Sequence, residues 1–169
     1  KAAGQGEPVS GFAEFKSGSP DITSFVTQAA EVEVDLDTGQ VSIRKFVTVV
    51  DSGTIINPIG HRGQINGGFV TGLGYALMEE LLIADGQVTT LSFADYKIPT
   101  TADMFELSTV LLESASGLGP LAVKGIAENA STPAAAAIAN AVADACGVRV
   151  HALPLTAERV YRTLRDARG

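Results

Sequence analysis

The stretch Lys124-Gly125-Ile126-Ala127-Glu128 is the part of this sequence best suited to chemistry. It sets a single carboxylate at the end of a run of small residues, ahead of a segment that reads as a helix. Backbone N–H groups in such a place bind anions, and a carboxylate there can serve as a general base. It can equally be a charge that complements a helix N-terminus. Spacing does not decide between the two. Other reactive side chains are few. His61 and His151 are the only histidines, too few for a His-rich metal site. Each reads as an ordinary hydrogen-bonded side chain. Cys146 is the only cysteine, which excludes an internal disulfide and a four-thiolate cluster. In its alanine-rich surroundings it reads as a small core residue. Gly72-Leu73-Gly74 is an incomplete dinucleotide fingerprint, and no G-K-[ST] follows Gly119 to make a phosphate loop.

The elements that must position these residues follow from periodicity. Val32 and Val34 alternate with Glu31, Glu33 and Asp35, which predicts a strand over 29–35. Asp37-Thr38-Gly39 is a turn, and the β-branched run Val41–Val50 is the partner strand of a hairpin. Ile65, Phe69, Leu73 and Leu77 recur every fourth residue, which predicts a helix over about 60–82. That helix carries Gly67, Gly68, Gly72 and Gly74. Each glycine costs roughly 1 kcal/mol relative to alanine, so the set needs a packing or binding reason. Asp85-Gly86 marks a second hairpin-like turn, and 88–96 and 105–113 read as two more strands, the first stopped by Pro99. A Gly/Ser-rich loop, 114–120, leads to a helix capped by Thr132, with Pro133 in its first turn and Gly147 at its end. Ala134, Ile138, Val142 and Ala145 are expected on its inner face. A last helix opens at Thr156 and turns Val160 and Leu164 inward. The order ββ-α-ββ-α-α predicts an α+β fold of β-hairpins packed with helices. All 169 residues are read as one domain whose lead-in, 1–28, is loosely ordered apart from a short strand near Gly11–Phe15.

Hydrophobic residues make up 46% of the chain and charged residues 18%, enough apolar material for a packed core. The formal net charge of −7 leaves no basic footprint for nucleic acid or for an anionic membrane surface. No apolar run is long enough for a membrane span. Position 1 is Lys, not Met, so the chain reads as a piece of something longer.

Six segments, in order, resemble the C-terminal part of the molybdopterin-binding subunit of molybdenum hydroxylases, the xanthine dehydrogenase and aldehyde oxidoreductase family. They are VVDSGTIINP (Val49–Pro58), GQINGGFVTGLGYALMEE (Gly63–Glu80), FADYKIP (Phe93–Pro99), GPLAVKGIAE (Gly119–Glu128), AIANAV (Ala137–Val142) and LPLTAE (Leu153–Glu158). The resemblance spans nearly everything after Ala30 and implies the C-terminal portion of a molybdopterin-binding fold. It implies a molybdenum–molybdopterin cofactor, in the cytosine dinucleotide form of bacterial members. It implies that an aldehyde or N-heterocyclic substrate is hydroxylated with water-derived oxygen. The family's base, which acts on the Mo–OH group, maps onto Glu128. A closed pocket there would strengthen the carboxylate as a base through desolvation. Gln64 maps onto a cofactor-binding glutamine. Gly67 and Gly68 would let the cofactor or a neighbouring helix approach, and the backbone of Lys124, Gly125, Ile126 and Ala127 would face the pterin. The implied partners are the remainder of the subunit, iron–sulfur (2Fe-2S) and FAD-containing chains or domains, and a small-molecule substrate. The implied compartment is the cytoplasm, with the periplasm as the alternative, since some family members are exported folded. An isolated piece of this length is expected to be inactive. One departure stands out: Ala127 replaces the glycine the family commonly has before its glutamate. It makes a non-catalytic cofactor-binding or assembly module the competing expectation.

Overall fold

The computed structural model describes residues 10–14 and 23–169. Two antiparallel strands, β1 (Val26–Val34) and β2 (Val41–Asp51), form the expected hairpin. Gly39 closes its turn at φ +76°, a conformation that glycine adopts at little cost. β1 alternates half-buried and exposed residues along its whole length, and it starts at Val26, three residues earlier than periodicity suggested. β2 alternates less cleanly for a specific reason. The register shifts at Glu31/Val32, leaving Arg44 as the extra residue of a bulge. Inward positions therefore change from Val41 and Ile43 to Phe46, Thr48 and Val50. Of the expected lead-in strand, residues 11–14 carry no strand, and Phe15 lies outside the described residues.

Helix α1 (Pro58–Leu77) follows. Asn57 caps it by accepting a hydrogen bond from the Gly60 amide at 3.0 Å, and Pro58 suits the first turn. The helix ends at Leu77, short of the expected Leu82. After it, β3 (Ile83–Ala84) and β4 (Gln87–Val88) make a minimal hairpin around Asp85-Gly86. The strand expected over 88–96 stops at Val88. Ser92 is the cause: its hydroxyl accepts from the Ala94 amide, and its carbonyl accepts from the amides of Asp95 and Tyr96. This local turn outcompetes an extended ladder. A short 3₁₀ turn over Thr101–Asp103, closed by a Thr100/Asp103 capping box, leads into β5 (Glu106–Leu112).

β5 pairs in parallel with β2, so the sheet order is β1-β2-β5 and α1 lies within the crossover. Helix α2 (Ala134–Cys146) packs on β1 and on α1. It begins at Ala134, and its N-cap position, Pro133, makes no side-chain cap. Thr132 is exposed within a run of turns over 127–133, so the expected threonine cap is not formed. Ala134, Ile138 and Val142 are buried, whereas Ala145 is exposed and Cys146 takes its place against the core. The Cys146 thiol donates to the Val142 carbonyl at 2.9 Å, as suits a small core residue. Helix α3 (Ala157–Arg168), capped by Thr156, buries Val160 and Leu164 as expected.

Phe46, Phe69, Leu73, Ile138, Val142 and Val160 form the centre of the main core, with 2% exposure or less. Burying a side chain such as Phe69 contributes roughly 1.5–3 kcal/mol. A smaller cluster of Val50, Ile65 and Ala130 lies nearer the 127–133 turns. Among the described residues, no helix is long and apolar enough to cross a membrane.

Candidate cofactor site

Two cavities meet at Ala127 and Glu128. One, of about 300 Å³, is lined by Gly63, Gln64, Gly67, Gly68, Thr71, Ala127, Glu128 and Ser131. The other, of about 650 Å³, runs along Lys124–Asn129 with Ser24, Leu118 and Val123. The fold thus brings Gln64, Gly67 and Gly68 of α1 to one cavity with Ala127 and Glu128, while Lys124, Gly125 and Ile126 line the adjoining one. The glutamate is exposed on this chain, so the described residues do not form the closed pocket expected around it. It also lies six residues ahead of Ala134, inside the turns and not in the first turn of α2. That position weakens its reading as a charge on a helix terminus, because the dipole effect fades within one turn.

The glycines of α1 divide by what they face. A side chain at Gly72 would run into the Cβ of Ala134 and come within 3.1 Å of the Ser131 carbonyl. At Gly68 a Cβ would lie 3.3 Å from the Ser131 amide and 3.4 Å from the Ala130 Cβ. These two glycines let the 127–134 segment lie directly on the helix. Gly67, Gly63 and Gly125 have no described atom within 4 Å of such a Cβ; they border open space. Gly72→Ala is therefore expected to cost about 1–3 kcal/mol of stability through overpacking. Gly67→Ala should be neutral or raise stability by up to about 1 kcal/mol through helix propensity. Thermal unfolding of the two variants of the complete subunit checks this ordering.

Lys124 departs from a simple surface reading. Its backbone borders the larger cavity, but its side chain turns inward with 1% exposure. Nζ donates to Asp51 Oδ2 at 2.6 Å and to the Thr23 carbonyl at 3.0 Å, and lies 5.9 Å from the centre of the Phe25 ring. Asp51 also accepts from the Ser114 hydroxyl at 2.7 Å and the Gly53 amide at 3.2 Å. The hydrogen bond from Lys124, then those from Ser114 and Gly53, hold the Asp51 carboxyl down to about 2 from its ordinary 3.8. Because the folded value is the lower one, this carboxylate contributes stability above about pH 4. The contribution is lost as pH falls from 3.8 toward about 2. An acid titration of stability should show a loss in that window that is absent in Asp51→Asn. Gly53, at φ +62°, pairs with Val123 in an isolated bridge, so the end of β2 fastens the start of the cavity-lining segment. Sequence reading did not single out Asp51 as a site-supporting residue. The signals available were a carboxylate ending a β-branched strand and its place within the family-like segment Val49–Pro58.

The peptide amides of Gly125, Ile126, Ala127 and Glu128 donate to no described residue. Backbone donors without an acceptor among the described residues, beside space left by glycines, suit an anionic, flat-edged group. Ala127 has an ordinary backbone conformation, since Asp85 and Ala122 are the non-glycine residues with positive φ among those described. Alanine in the glycine's place therefore imposes no backbone strain here.

A family model described as molybdopterin cofactor-binding domain matches residues 2–105, more than half of the chain. The chain belongs to the molybdenum hydroxylase family. It is 38% identical over 133 residues to the xanthine dehydrogenase molybdenum-binding subunit of Escherichia coli O157:H7, covering 78% of this chain and 18% of that protein. It is 35% identical over 147 residues to the aldehyde oxidoreductase molybdenum-binding subunit PaoC of Escherichia coli K12, covering 85% and 20%. Among solved structures it is similar to quinoline 2-oxidoreductase from Pseudomonas putida 86, with a TM-score of 0.76, 38% identity, and coverage of 82% of this chain and 18% of that one. This molybdenum hydroxylase chain therefore spans about a fifth of the length of the relatives it matches. The family-model match ends ahead of the 124–128 segment, so the geometry of the two cavities, more than the match, singles out that segment.

Proposed function

We propose that this chain forms one wall of the cofactor and substrate site in an oxidoreductase that hydroxylates an electron-poor carbon, with Glu128 as the base. The observation that carries the reading is the meeting of Gln64, Gly67 and Gly68 with Ala127 and Glu128 at one cavity. When bound, molybdenum–molybdopterin supplies the two-electron oxidation. The chain's own groups do the rest. The amides of Gly125, Ile126 and Ala127, which donate to no described residue, hold the negatively charged cofactor, and the Gln64 side chain, exposed on α1, hydrogen-bonds it. Gly67 and Gly125 leave room for it to come against backbone. Glu128 then takes up the proton released as a water-derived oxygen is added to the substrate.

The cofactor in this reading is the cytosine dinucleotide form. Its partners in this reading are chains or domains of a cytoplasmic assembly whose 2Fe-2S centres and FAD would supply the electron acceptors. The substrates named for the relatives are xanthine, aldehydes and quinoline. They share a carbon made electron-poor by a neighbouring heteroatom, and we assign this chain's substrate to that class. The remainder of the subunit covers Glu128 and excludes water. The deciding experiment is Glu128→Gln in the complete, cofactor-loaded enzyme, with turnover and molybdenum content measured together. Undiminished turnover would remove the base role.

A further inference from the structure

The core-facing side of the sheet carries a polar row that periodicity alone does not anticipate. Gln28 on β1 pairs in register with Thr48 on β2, which pairs with Thr109 on β5. The row crosses the sheet between the main core and the smaller cluster around Ala130. Each member has a use. The Thr109 hydroxyl donates to Asn66 Oδ1 of α1 at 2.9 Å. Gln28 Nε2 donates to Thr48 Oγ1 at 3.1 Å and to the Ala130 carbonyl at 2.8 Å. Both amide hydrogens of Gln28 are thus committed, and its Oε1 is buried with no partner among the described residues. Turning the amide over would set Oε1 against the Ala130 carbonyl, acceptor against acceptor. The orphaned oxygen is therefore tied to holding that carbonyl.

The next carbonyl is held from a different element. The Tyr75 hydroxyl, on α1, donates to the Ser131 carbonyl at 2.5 Å. Ser131 in turn donates from its amide (3.1 Å) and its hydroxyl (2.8 Å) to the carbonyl of Glu128. The turn that carries Glu128 is thus suspended between β1 and α1 by two consecutive carbonyls. Gly68 provides the surface on which it rests.

From this geometry we infer that Gln28 and Tyr75 are positioning residues for Glu128, fixing where its carboxylate stands without touching cofactor or substrate. The inference rests on the base role proposed above. Misplacing a reacting group by about 1 Å costs on the order of a hundred-fold in rate.

Gln28→Met and Tyr75→Phe keep the shape of each side chain while removing its donors. In the complete loaded enzyme, each should lower kcat about ten- to a hundred-fold, with KM and molybdenum content unchanged. In the cofactor-free complete protein, amide hydrogen exchange across 127–133 should quicken. In a Glu128→Gln background neither substitution should lower kcat further, because the group being positioned is already gone.

Wild-type kcat in both single variants, unchanged exchange across the turn, or an equal further loss in the Glu128→Gln background would each overturn positioning while leaving the base role standing. Loss of molybdenum in both variants would overturn it in favour of a purely structural role. Wild-type turnover in Glu128→Gln alone would remove the base role and the positioning role together.

Discussion

Glu128→Gln is expected to lower kcat of the complete enzyme by about a hundred- to ten-thousand-fold, the usual contribution of a positioned general base. The amide keeps the size and the hydrogen-bonding reach of the carboxylate but cannot take up a proton at neutral pH. The surrounding structure gives no reason for a folding defect. The side chain is exposed on this chain, and the hydrogen bonds that shape its turn come from backbone atoms and from Ser131, Gln28 and Tyr75. Molybdenum content and thermal unfolding should therefore match the parent enzyme while turnover collapses. Steady-state kinetics with the metal assayed on the same sample makes the measurement. A variant that loses metal in parallel with activity would move Glu128 from catalysis to cofactor retention.

The second large effect concerns stability. Asp51→Ala is expected to destabilise the subunit by about 3 kcal/mol, the low end for removing one partner of a buried ion pair. It strands the Lys124 ammonium, whose side chain is 1% exposed, with the Thr23 carbonyl as its remaining hydrogen-bond partner among the described residues. Lys124→Met should cost less, because Asp51 keeps 18% exposure and retains its bonds from Ser114 and Gly53. The double variant should lose less than the two single losses combined, since an apolar replacement of a whole pair is often close to neutral. Denaturant unfolding of the three variants reads out this order. If Asp51→Ala and Lys124→Met were each silent, the pair would not anchor the cavity-lining segment. The pair also links stability to the site, since the same lysine that is held inward leaves its backbone on the cavity wall.

Which parts of this were legible without coordinates follows from what periodicity records. A strand or helix writes its own burial pattern into its own residues, so the β1–β2 hairpin, α1, β5 and α3 could be read directly. The failures were local competitions that no periodicity reports. Ser92 folds its neighbours into a turn where alternation suggested a strand. Turns over 127–133 take the place where Thr132 was expected to cap α2. The bulge at Arg44 changes the phase of β2 halfway along, which blurred its alternation.

By itself the sequence determined the family, through ordered motifs no single one of which is specific, and it marked Glu128 as the carboxylate to examine. It also showed that the glycines of α1 needed a reason. Only the tertiary structure decided what that reason was, packing for Gly68 and Gly72 and open space for Gly67. It alone brought Gln64 and Glu128 to one cavity, turned the Lys124 side chain inward onto Asp51, and set Gln28 of β1 and Tyr75 of α1 against consecutive carbonyls of the turn that carries Glu128. The physical reason is that these are relations between elements. They depend on β5 pairing in parallel with β2 and on α1 and α2 meeting across a glycine surface. Such pairings are chosen by the fit of whole faces, and no residue's type or local spacing records them.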